Sequence, residues 1–225
     1  MKGGVFQMAP DQALEITWYG QSMFEISGGG VTLVCDPVGP SAGYRFDLIR
    51  ADIVLVTHDH ADHNYVEGIT GSPEVLRTTG SHSIGGLEIT GIPGFHDKRH
   101  GAERGPIIMF TWEQAGARLA HLGDIGEIPG PEVLKGVEGV DILMIPVGGV
   151  YTIDGDEAAG LVKALSPAIV FPMHYLTPDV VFPLEPPDSF TASFPGAVRE
   201  ITARPVEVSG YPLPSHTEIW VLPYQ

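Results

Sequence analysis

Residues 57 to 63 read Thr-His-Asp-His-Ala-Asp-His, three histidines and two aspartates in seven positions of a 225-residue chain that holds nine histidines in all. They follow the apolar run Ile53-Val54-Leu55-Val56, which reads as a strand. If the chain stays extended to residue 60, His58 and His60 point the same way, because side chains alternate along a strand, and one metal ion can take both. Asp62 and His63 are adjacent and therefore diverge, which suits a second ion about 3.5 to 4 Å from the first, the spacing of two-metal hydrolases. The spacing does not fit the His-Glu-x-x-His zinc helix. A metal-free cluster of surface histidines is the plain alternative.

A catalytic zinc ion takes about three protein ligands plus a water, so four residues cannot complete two sites. Three other segments offer ligands. Gly94-Phe95-His96-Asp97 follows the apolar stretch 87–92, His121-Leu122-Gly123-Asp124 follows 117–120, and Pro172-Met173-His174-Tyr175 follows 169–171. Each sets a His or Asp at the end of an expected strand, where the loops of layered α/β folds build sites. Lys98, Arg99 and Arg104 crowd behind His96, either as a solvated loop or as a patch that steers an anion. His82, His100 and His216 have no partner motif and read as surface or loop residues.

The elements that must position these residues are mostly strands. β-branched and aromatic stretches are expected as strands at 14–19, 23–26, 31–35, 53–57, 75–78, 87–92, 107–112, 117–122, 142–146, 168–172 and 218–222. Gly28-Gly29-Gly30 reads as a hairpin turn. Helices are expected at 63–69, 131–137 and 156–165; the last, between two apolar strands, makes 140–172 a β-α-β unit. The pattern is that of an α/β protein with two sheets covered by helices. Residues 176–195 carry five prolines and read as a long surface excursion that borders a pocket.

The ordered set Asp36 in Cys35-Asp36-Pro37, the cluster 58–63, His96, Asp124 and His174 resembles the five motifs of the metallo-β-lactamase superfamily. Ile16-Thr17-Trp18-Tyr19-Gly20, Pro146-Val147-Gly148-Gly149 and Pro172-Met173-His174-Tyr175 are similar to its bacterial branch of L-ascorbate-6-phosphate lactonase-like metal-dependent hydrolases. The resemblance implies a four-layer αβ/βα sandwich formed by residues 1–225 as a single domain. It implies that His58, His60 and His96 hold one metal ion, that Asp62, His63 and His174 hold a second, and that Asp124 bridges them. Asp36 would lie beneath the site and fix the tautomer of a ligand histidine, unless it merely caps the turn before Pro37. His121 is either a site-facing group or a satisfied strand histidine. Many relatives have His where this chain has Gln21, which leaves the role of that position open.

Two divalent cations sharing a water would lower its pKa from about 15.7 toward ~7 and give a hydroxide nucleophile. Asp62 would orient it and take its proton, while His121 or Tyr151 hydrogen-bonds the substrate or leaving group. The expected function is hydrolysis of a small anionic ester, lactone or phosphodiester, with a phosphorylated substrate in view. Zinc is the first choice of metal, with manganese or iron as alternatives. The competing readings are an iron-dependent oxidoreductase and a metal-binding protein without turnover. A net charge of -16 argues against nucleic acid as partner, and no apolar run has the ~20 residues of a membrane span. Cys35 stands alone, and residues 1–10 lack the apolar core of a signal peptide, so a cytoplasmic protein is expected. By resemblance, the missing leader argues against a secreted β-lactamase, and the length against the nucleases with an inserted domain. His60, where oxygen-reducing di-iron relatives carry Glu, argues against that branch.

Overall fold

The computed structural model describes residues 13–208 and 213–224; the N-terminal segment read for a leader lies outside them. In chain order the first strands are β1 (Glu15–Gly20), β2 (Met23–Gly28), β3 (Val31–Cys35), β4 (Ile49–Arg50), β5 (Ile53–Leu55), β6 (Ile69–Thr70), β7 (Glu74–Leu76) and β8 (Gly80–Ile84). There follow β9 (Leu87–Phe95), β10 (Pro106–Gln114), β11 (Ala117–His121), helix α1 (Pro131–Leu134), β12 (Ile142–Pro146), helix α2 (Gly155–Leu165) and β13 (Ile169–Met173). Helix α3 (Asp188–Ala192), β14 (Val198–Glu200), β15 (Val206–Glu207) and β16 (Glu218–Val221) complete the set. A six-stranded sheet runs β15-β1-β2-β3-β5-β7, an eight-stranded sheet runs β14-β16-β13-β12-β11-β10-β9-β8, and β4 pairs with β6 in a separate ribbon.

Alternation along the strands explains the layering. Phe24 and Ile26, Leu33 and Cys35, and Ile53 and Leu55 join the core between the sheets, while Met23, Val34 and Val54 face the opposite way into a second cluster. With period-two side chains, each of these strands supplies both layers at once. The β12 and β13 sequences ILMIP and IVFPM are buried at every position, as parallel strands covered on both faces require. Helix α2 buries Ala158, Ala159, Leu161 and Val162 and starts on a capping box in which Asp154 and Glu157 each accept the other's backbone N–H. Parallel pairing of β12 and β13 around α2 gives the expected β-α-β unit. The β2–β3 hairpin turns on Gly29 and Gly30, both in the left-handed region that glycine adopts without cost from a Cβ.

Two expectations change. Residues 63–69 form turns and a 3₁₀ segment at Val66–Gly68 in place of a helix. The reason is local: the His63 N–H bonds the His60 carbonyl and the Tyr65 N–H bonds the Pro37 carbonyl, so the backbone follows the loop that turns His63 inward. The outer face of the six-stranded sheet is covered, among the described residues, by Tyr44, Val38, Ala42 and the β4–β6 ribbon in place of an α-helix. Strands β8, β14 and β15 escape the sequence pattern because they lie at or next to sheet edges and carry few apolar residues. Among the described residues, no helix is long and apolar enough to cross a membrane.

Candidate metal centre

One edge of the sandwich collects the C-terminal ends of five strands. Asp36 follows β3, residues 58–63 follow β5, His96 follows β9, Asp124 lies just beyond β11, and His174 follows β13. Asp36 and His174 hold positive φ angles of 44° and 52°, sharp kinks that only a well-packed surrounding maintains. Two glycines let these loops close on one another. A Cβ on Gly126 would collide with the backbone of His96, and one on Gly148 with the carbonyl of His174.

Candidate ligand atoms of His58, His60 and His96 all lie within 4.8 Å of one another, and so do those of Asp62, His63 and His174. The Asp124 carboxylate stands between the groups. Its Oδ2 is 3.0 Å from His63 Nε2 and 3.0 Å from His174 Nε2 on one side, and 3.6 Å from His96 Nε2 on the other. All seven residues expected as ligands therefore converge. Burial would raise the Asp124 pKa, but His174 and His63 outweigh it and keep the carboxyl well below its usual range. Burial, with the charge of His63 behind it, pushes the His58 pKa down to about 3, leaving the neutral imidazole that a metal ion requires.

Beneath the ligands, the buried Asp36 works as a hub. Its Oδ1 accepts the Thr57 N–H at 2.8 Å, and its Oδ2 accepts the Thr57 hydroxyl at 2.7 Å and faces His63 Nδ1 at 2.9 Å. Thr57 Oγ1 in turn meets His58 Nδ1 at 2.9 Å. With the Thr57 proton given to Asp36, His58 Nδ1–H is the donor in that contact. One carboxylate thus sets the tautomer of a histidine in each triad and leaves both Nε2 atoms facing inward. His121 does not meet the open site: it is fully buried, its Nε2 donates to the Ser22 carbonyl at 2.8 Å and its Nδ1 accepts from the Gly123 N–H at 3.2 Å. Both ring nitrogens of His121 are thus spent on backbone partners. Ser22 then donates its hydroxyl to Asp124 Oδ1 at 3.1 Å, so His121 helps to aim Asp124.

A cavity of about 250 Å³ opens over the ligands and is lined by His60, Asp62, Asp124, Arg104, Tyr151 and Phe182. A larger groove of about 780 Å³ adjoins it, with His58, His60, Arg77 and Arg104 facing apolar walls such as Ile107 and Ile108. The three cations behind His96 separate. Lys98 pairs with Glu157 at 2.7 Å and Arg99 with Glu103 at 3.0 Å, while Arg104 lays its guanidinium 5.1 Å from the centre of the Tyr151 ring. Arg104 has no carboxylate ion-pair partner among the described residues. The exposed His100 bonds Glu127 at 2.9 Å and lines neither cavity. Arg77, Thr57, Ser22 and Phe182 are neighbours of the site that sequence reasoning passes over. Arg77 could have been found, since it follows β7 at the same edge; Phe182 lies in the proline-rich excursion already expected to border a pocket.

The donor set fits divalent metal ions. Buried His63 Nε2, His96 Nδ1 and His174 Nδ1 have no hydrogen-bond partner. His63 Nε2 nevertheless aims between Asp62 Oδ2 at 3.4 Å and Asp124 Oδ2 at 3.0 Å. Burial lowers the His63 pKa, but Asp124 and Asp36 carry it well above its usual value, so the surroundings favour positive charge at that nitrogen. Two sheets thus bring an all-histidine triad and a His/Asp triad together at one edge. The family described as Beta-lactamase superfamily domain matches residues 15–174. A metal-dependent hydrolase of the UPF0173 group from Thermoplasma acidophilum is 31% identical over 193 residues, covering 75% of this chain and 86% of that one. One from Nitratidesulfovibrio vulgaris is 32% identical over 194 residues, covering 72% and 80%. A structure from Thermotoga maritima, assigned as a zinc-dependent hydrolase of the metallo-β-lactamase superfamily, superposes with a TM-score of 0.78 at 28% identity and covers 94% of this chain and 100% of its own. The chain belongs to the metallo-β-lactamase superfamily and, within it, to the UPF0173 metal-dependent hydrolases.

Proposed function

We propose that the protein hydrolyses a small anionic ester, lactone or phosphodiester at a centre of two divalent cations. His58, His60 and His96 hold one cation, Asp62, His63 and His174 the other, and Asp124 both. The observation that carries this reading is the reach of Asp124 Oδ2 to histidines of both triads. Two bound cations, zinc first among the candidates, would acidify a water into a nucleophile and polarise the oxygen of the bond attacked. Asp62, partly open to the cavity, accepts a proton at Oδ2 and orients the attacking group. Tyr151 stands at the mouth, where its hydroxyl meets the leaving group. Arg104, half-buried on that ring and shared by both cavities, binds the negative charge of the substrate, and the apolar groove takes its uncharged body.

Metal analysis of the purified protein, followed by a screen of lactones, phosphodiesters, thioesters and β-lactams, tests the reading. We expect two equivalents of metal in the native chain and a loss of metal and of turnover in Asp124→Ala. Less than about one equivalent, with Asp124→Ala fully active, sinks it. For the substrate so found, Arg104→Gln should raise KM at least tenfold for the anionic compound and leave a neutral analogue unchanged, about 1.4 kcal/mol of binding. An equal effect on both would remove the anion from the proposal.

A further inference from the structure

The amide of Gln21 is a buried polar group at the centre that the proposed ligand set leaves unused. Gln21 lies in the β1–β2 turn and is fully buried, with a φ of 48°. Its backbone is clamped: the carbonyl accepts from Trp18 Nε1 at 3.0 Å and from the His174 N–H at 3.0 Å. The side chain is thereby aimed at the second triad. Its Nε2 lies 2.9 Å from Asp62 Oδ2 and 2.8 Å from His174 Nε2, and its Oε1 is buried without a partner.

Hydrogen bonding alone cannot satisfy this arrangement. An amide NH₂ can donate to Asp62 and to His174 only if His174 Nε2 offers a lone pair. That same nitrogen is 3.0 Å from Asp124 Oδ2, an acceptor when ionised. Without a proton, His174 Nε2 opposes Asp124 lone pair to lone pair; with one, it has nothing to accept the amide N–H. A cation between Asp62, His63, His174 and Asp124 removes the conflict, and the amide ends then exchange. The oxygen and nitrogen of a glutamine amide have nearly the same shape, so a half-turn sets Oε1 where Nε2 stands, with no movement of the backbone.

We propose that Gln21 contributes its amide oxygen as a further ligand to the cation held by Asp62, His63 and His174, which makes the two sites unequal. This rests on the two-cation reading above. The first site then offers three imidazoles, from His58, His60 and His96, plus the carboxylate of Asp124. The second offers two imidazoles with three oxygen donors, from Asp62, Asp124 and Gln21. Oxygen-rich donor sets suit harder, higher-coordinate ions such as manganese, whereas imidazoles suit zinc. The two positions should accordingly differ in metal preference.

The test is metal binding to the full chain, independent of turnover. Metal-free protein is titrated with Co²⁺ and with Mn²⁺, following the visible cobalt bands and the bound metal by elemental analysis. In Gln21→Leu the second equivalent should bind about tenfold or more weakly with the first unchanged. The cobalt bands of that equivalent should intensify as its coordination number falls. Gln21→Glu, which keeps an oxygen at the same reach and adds charge, should retain or tighten the second equivalent and serves as the control for folding. Two equivalents with affinities and bands unchanged in Gln21→Leu would overturn the role of Gln21 while leaving the two-cation centre standing. A native chain that binds a single equivalent would overturn both.

Discussion

Asp36 touches no solvent, yet it holds Thr57 and His63 beneath the candidate ligands. By accepting from Thr57 and His63 it decides which ring nitrogen each of two histidines turns inward. Asp36→Asn keeps the shape and removes the charge, so metal affinity should fall by about 10- to 100-fold, measured by competition with a chelator. An unchanged affinity would show that the hydrogen bonds to Thr57 suffice. At this scale much was legible. The seven proposed ligands were readable as His and Asp residues after apolar runs, while their division between two sites and the place of Asp36 came from the family resemblance. Ser22 was not readable as a partner of the site, and Gln21 stood out only through the resemblance, with its role left open. Their side-chain types serve many purposes, and only their distances from the ligands distinguish them.

At the scale of elements, the loop between β9 and β10 carries both His96 and Arg104, and Asp97 organises it. Its carboxylate accepts the N–H groups of Arg99, Gly101, Glu103 and Arg104 at 2.8 to 3.1 Å. Burial works against the charge, and these four donors outweigh it and hold the Asp97 pKa down to about 2 from 3.8. A depressed folded-state pKa stabilises above the unfolded value and loses that contribution as protons bind. The loop should therefore loosen between about pH 4 and pH 2, read as faster hydrogen exchange at residues 99, 101, 103 and 104. Asp97→Ala should show the same acceleration at neutral pH, and protection equal to the native loop would refute the role. The sequence marked this segment as a cationic loop without distinguishing its members. Lys98 and Arg99 are neutralised by Glu157 and Glu103, and one of those partners comes from α2, 59 positions away.

For the whole molecule, the candidate ligands come from loops on both sheets. The Ile108 N–H bonds the Thr57 carbonyl at 2.9 Å, joining β10 of one sheet to the end of β5 in the other beside the metal centre. Bound metal should then stabilise the fold as one unit, because ligands that bind only the folded state add RT ln(1 + [L]/Kd). At about 100 times Kd this is roughly 2.7 kcal/mol, so a chelator should lower Tm in a single transition and added zinc should restore it. A Tm indifferent to both would mean that the ligands contribute nothing to holding the sheets together. What the sequence determined by itself was the alternation of strands, the β-α-β unit and the candidate donors, since periodicity and donor chemistry are local properties. Tertiary structure alone decided which cation of the loop stays without a carboxylate partner among the described residues, that His121 is spent on the backbone, and that a glutamine stands among the candidate ligands. Those outcomes depend on distances between residues far apart in the chain, and such distances exist only once the two sheets have closed on each other.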